Sequence, residues 1–113
     1  MNFKEFTLKA DLPEQISTEI LFEIASARAD SLELICINIF NEDKEYIQPQ
    51  KQRAAVIKIL KNLKADGRIQ LFATSDSFKG QKTEAYFLQN KYPEIFNSSP
   101  NDFINENKVY IKL

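Results

Sequence analysis

Residues 31–40 read Ser-Leu-Glu-Leu-Ile-Cys-Ile-Asn-Ile-Phe. Leu34 to Ile37 is continuously apolar and rich in β-branched side chains. A strand of this kind has no polar face to give to water, so both of its sides need cover. Covering both sides calls for a parallel or mixed sheet lying between two helical layers.

The flanking segments fit that demand. Phe6, Leu8 and Ala10 alternate with Glu5, Thr7 and Lys9, so residues 2–10 form a half-buried strand, with Phe3 outside the alternation. Asp11 with Glu14 three positions later has capping-box spacing, and Pro13 falls in the first turn of the helix that follows. At 100° per residue Ile16, Ile20, Ile24 and Ala27 form one stripe, which predicts an amphipathic helix over 12–29. Phe22 lies off that stripe, near Thr18, Ala25 and Ala29. Packing under a neighbouring loop is the commoner fate of such a side chain, and exposure to a partner is the other.

Asn41 to Lys44 is a polar turn, and Tyr46-Ile47 has the makings of a short strand. Pro49 opens the next helix, 49–66, where Val56, Ile59, Leu60 and Leu63 face inward and Lys51, Lys58, Lys61 and Lys64 face out. Gly67 is placed as its left-handed C-terminal cap. Residues 68–74 are again apolar on both faces, through Ile69, Leu71, Phe72 and Ala73. Thr74-Ser75-Asp76-Ser77 reads as a loop, Gly80 as a turn and 81–91 as a helix ended by Pro93, with a strand over 83–88 as its rival. Ser98 to Asp102 has the residue order that opens a short helix or turn. Val109, Ile111 and Leu113 alternate with Tyr110 and Lys112, a terminal amphipathic strand.

The order β-α-β-α-β-α-β over 1–113, in a chain of 113 residues, predicts one domain: a three-layer α/β sandwich with a mixed or parallel four-stranded sheet. Strands 31–40 and 69–73 are expected side by side in the interior, with the two alternating terminal strands at edges or on a half-covered face. The alternative is a ferredoxin-like α+β core, which requires 44–48 to form a hairpin with 31–40.

Composition excludes more chemistry than it suggests. The chain has no His and one Cys, which removes Ser-His-Asp and Cys-His catalysis, His metal sites, disulfides and Cys-based zinc sites. Cys36 reads as a small buried hydrophobe. With only Gly67 and Gly80 there is no dinucleotide fingerprint, and Lys79-Gly80-Gln81-Lys82-Thr83 lacks the glycine and ending of a phosphate loop. No catalytic residue, metal ligand or cofactor is assigned. No basic–apolar leader and no run long enough for a membrane helix are seen, so a cytoplasmic chain with no membrane partner is expected.

The net charge of −1 conceals segregation. Residues 1–48 carry ten acids against four bases, and residues 49–91 nine bases against three acids. Either the two segments neutralise each other in the fold, or they present a bipolar surface that steers a charged partner. Three functional classes follow. The favoured one is a non-catalytic, protein-binding or regulatory module, of which an inhibitor or immunity-type protein is one form. Its contact set would be Phe22 with Glu14, Glu19 and Glu23 on the first helix. The second is nucleic-acid binding through the basic 49–91 segment. The third is a small Mg-dependent phosphoryl-processing enzyme. There Asp43, Thr74, Ser75, Asp76, Ser77, Lys79 and Lys82 would gather as a ligand or anion site beyond the strand ends, with Asp43 and Asp76 close enough to share a cation.

Overall fold

The computed structural model describes residues 3–41, 43–46, 48–96 and 105–113. Its elements run β1 (Lys4–Thr7), α1 (Pro13–Ala29), β2 (Leu34–Asn38), α2 (Pro49–Ala65), β3 (Leu71–Ala73), α3 (Ser75–Lys79), α4 (Thr83–Lys91), α5 (Pro93–Phe96) and β4 (Lys108–Lys112). The four strands form one mixed sheet in the order β1-β2-β4-β3. β1 and β2 are parallel, while β4 is antiparallel to both β2 and β3.

Helices cover both faces, as the apolar run in β2 requires. On one face Ile16, Ile20, Ile24 and Ala27 of α1 and Val56, Leu60 and Leu63 of α2 pack on Ile35, Ile37, Ile39, Val109 and Ile111. On the other, Phe78 of α3, Ala85 and Leu88 of α4, and Tyr92 and Phe96 pack on Leu34, Cys36, Ala73 and Tyr110. The molecule is therefore a three-layer α/β sandwich. Each fully buried isoleucine contributes about 1.5–3 kcal/mol of hydrophobic stabilisation. Phe78 and Phe96 stack at 5.5 Å, and Phe96 meets Tyr110 edge-on at 4.8 Å, which closes the second layer with aromatic contacts.

Several expectations are revised. β2 and β3 do not run side by side, because β4 inserts between them. β4 is central and buried along Val109 to Lys112, whereas the three-residue β3 holds an edge. The reason lies in Tyr110 and Lys112, whose long apolar bodies cover the sheet while their polar tips find partners. The Lys112 ammonium reaches the Leu113 carbonyl at 3.1 Å. Residues 74–80 are not a loop: α3 occupies most of them, with the Thr74 N–H donating to Ser77 Oγ at 3.2 Å. Pro93 stops α4 and also opens α5. β2 pairs with β1 and β4, so among the described residues nothing from 44–48 pairs with it and the sheet is not the ferredoxin-like one. Tyr46 instead packs its ring edge-on against Phe40 at 4.9 Å. Ile47 and the 98–102 segment lie outside the described residues.

The expected capping box at Asp11 is also absent. Leu12 is the N-cap and no side chain caps α1, while Asp11 pairs with Lys44 at 2.5 Å. The helix C-termini are better served. In α1, α2 and α3 the last turn closes by a paired 6→1 and 5→2 bond, with Ser31, Gly67 and Gln81 respectively in the left-handed position (φ 59°, 74° and 51°).

Candidate functional site

The outer face of α1 is the first surface to consider. The Ile16–Ile20–Ile24–Ala27 stripe faces the sheet, which turns Phe22 outward, where it is 68% exposed. It is not packed under a loop. Exposed Thr18, Ala25 and Ala29 lie around it, and Glu14, Gln15, Thr18, Glu19 and Phe22 line one shallow concavity.

The acids predicted beside Phe22 divide by what they touch. Glu14 is exposed. Glu19 turns back toward the chain, and its carboxylate accepts from the Lys9 N–H at 3.0 Å and the Ala10 N–H at 3.0 Å. Glu23 pairs with Lys4 at 2.6 Å and is only 17% exposed. Glu19 thus ties down the β1–α1 connection, and Glu23 ties α1 to the edge strand.

The second surface is the sheet rim beyond the carboxyl ends of β2 and β3. These strands point the same way, since each is antiparallel to β4, so Asp43 and Asp76 follow the same end of the sheet. The start of β4 stands between them. Asp76 is 73% exposed and lies 3.8 Å from Arg53. Lys79 faces Glu106 at 3.9 Å, and Lys82 is exposed. Thr74, Ser75 and Ser77 are buried, so their hydroxyls do not face solvent. Ser75 Oγ has no hydrogen-bond partner among the described residues. Nor do the described residues hold any group of three Cys, Asp or Glu side chains arranged to take a metal.

The third surface is a polar groove that sequence reasoning did not assemble. Among the described residues the second helical layer stops short of β1, and on that side Glu5 is exposed and Thr7 half-buried. Register aligns Thr7 with Asn38 and Asn38 with Lys108, a polar row across three strands. Phe40, Asn41 and Asp43 wall one side, and Asn105 and Asn107 another. Asn38, the single polar break in the apolar run of β2, was the signal that could have located it.

Electrostatics in this groove is local. Lys108 pairs with Glu5 at 3.1 Å. Partial burial pushes the Glu5 carboxyl up, but hydrogen bonding and charge from Lys108, with help from Asn38 and Cys36, hold it below its ordinary value. Burial, then the Glu5 charge, push the neighbouring Cys36 thiol up to about 12, so it stays protonated and unreactive at neutral pH.

The basic segment does not form one face. Lys51, Lys58, Lys61 and Lys64 are exposed on α2, in the first helical layer, while Lys79, Lys82 and Lys91 belong to the second. No helix among the described residues is long and apolar enough to cross a membrane. No known protein family, curated protein or solved structure matches this chain.

Proposed function

We propose that this chain is a non-catalytic module that recognises another protein through the outer face of α1. The observation that carries the reading is Phe22, a large aromatic held in the open by a helix whose inner stripe is fully packed. Aromatic side chains presented on rigid elements are frequent anchors of protein interfaces. Glu14 beside it adds charge that acts on association rate and selectivity. Glu19 and Glu23 shape the same face while serving the fold, so they are poor positions for a charge-reversal test.

Nucleic-acid binding has less support, because the basic residues divide between the two outer layers. Phosphoryl chemistry has less still, because the three hydroxyls it would use are buried.

The test is quantitative binding of a partner recovered by affinity capture on the whole chain. Phe22→Ala should weaken binding about 30-fold or more, as for a central interface anchor. Glu14→Lys should slow association in a salt-dependent way. Phe87→Ala, on the opposite layer, should change neither. A partner bound equally by wild type and Phe22→Ala would remove the reading.

A further inference from the structure

The geometry points to the groove at the carboxyl ends of β1 and β2 as a binding site for a small, neutral, polyhydroxylated molecule of the saccharide class. This goes beyond the protein-recognition reading and does not depend on it, since α1 packs on the other face of the sheet.

The groove encloses about 400 Å³, within the ~300–1,000 Å³ usual for small-ligand sites. Its floor is sheet, which holds Glu5, Thr7, Asn38 and Lys108 in a rigid array set by strand register. Its walls are braced from within. The Asn107 side chain donates to the Phe40 carbonyl at 3.1 Å and accepts from the Phe40 N–H. Asn41 Oδ1 accepts from the Asp43 N–H at 3.0 Å, and Asn105 Oδ1 from the Asn107 N–H at 2.9 Å. These bonds occupy the carboxamide oxygens of Asn41 and Asn105. Their NH₂ groups, the Thr7 hydroxyl and the Asp43 carboxylate make no hydrogen bond to another described residue. The groove therefore offers separate donors and acceptors on fixed supports.

Elimination narrows the ligand. A phosphate is disfavoured, because among the described residues two carboxylates line the site and the one ammonium already faces Glu5. A divalent cation finds no carboxylate cluster among the described residues. An apolar ligand would find one ring, Phe40, already packed against Tyr46. A neutral molecule bearing several hydroxyls can donate to Asp43 and accept from the Asn41 and Asn105 amides and from Thr7, leaving no buried charge unpaired.

The experiment follows backbone amide shifts of the full chain by NMR during separate titrations with glucose, N-acetylglucosamine, sorbitol, inorganic phosphate and Mg²⁺. Saturable shifts confined to residues around Thr7, Asn38, Asn41 and Asn107, produced by at least one of the first three probes, are expected. Asp43→Ala, at an exposed position, should weaken that binding about tenfold, the loss of a hydrogen bond to a charged group. Thr7→Val, which keeps the shape of the side chain, should weaken it severalfold with the fold intact. Absence of shifts with all three hydroxylated probes would overturn the assignment. So would groove shifts with phosphate or Mg²⁺ alone, or equal affinity in both variants.

Discussion

Glu19 carries the same charge as Glu14 on the same helix, yet the two have different work. Glu14 meets solvent, while Glu19 receives the backbone N–H groups of Lys9 and Ala10 and ties the chain entering α1 to that helix. Glu5 shows the same dependence on surroundings, and it has a pH consequence. Its folded carboxyl is held below its ordinary value of 4.5, so the folded state binds that proton less readily than the unfolded chain. The stabilisation is therefore complete above that ordinary value and is lost as pH falls through the lowered folded one. Glu5→Gln should lower the urea midpoint at neutral pH, and the gap from wild type should shrink once pH falls below the ordinary carboxyl value and close as it passes the lowered folded one. A gap that stays constant on acidification would show that the Lys108 pair contributes nothing. Tyr92 has a comparable arrangement at the other sheet end: burial, then the charge of Glu33, push its hydroxyl up to about 12, and it donates to Glu33 at 3.3 Å.

Among the elements, the helices are defined more firmly at their C-termini than at their N-termini. Both long helices begin with Pro and carry no side-chain cap. All three C-terminal closures use the left-handed position, but glycine fills only one of them, at Gly67. Ser31 sits there at φ 59°, a conformation that costs a residue with a Cβ about 1 kcal/mol. Ser31→Gly should therefore raise stability by roughly 0.5–1 kcal/mol, readable as a higher urea midpoint with an unchanged slope. An unchanged or lower midpoint would mean that the gain in chain entropy of the unfolded glycine variant outweighs the strain removed. Gly80, which the sequence marks as the turn, has an ordinary negative φ (−84°); its neighbour Gln81 takes the left-handed place.

At the scale of the molecule, the last strand is the keystone of the sheet. β4 joins β2 to β3, and without it β3 has no strand partner among the described residues. It also supplies Val109 and Ile111 to one core and Tyr110 to the other. Removing residues 108–113 should abolish cooperative thermal unfolding and expose both cores, as seen by circular dichroism and dye binding. A truncated chain that still melted cooperatively would contradict this. In the intact protein the amides of Val109 to Ile111 should exchange only through global opening, and those at the β3 edge sooner.

The separate elements were largely legible in the amino-acid order, because helical and strand periodicity are local. The stripe Ile16, Ile20, Ile24 and Ala27, the two-sided burial of Leu34 to Ile37 and the left-handed Gly67 all follow from spacing and side-chain type. The candidate site was legible only in pieces: Phe22 stood out by its angle from the stripe, and Asn38 by its polarity. Strand order was decided by tertiary structure alone. Tyr110 and Lys112 look like a solvent face in the linear pattern, yet both are buried in the folded chain, Tyr110 beneath the second helical layer, and β4 is central. The polar groove has the same origin, since its residues come from β1, β2, β4 and two connecting turns. Nothing local dictates that contact, which depends on which strands hydrogen-bond across long stretches of chain.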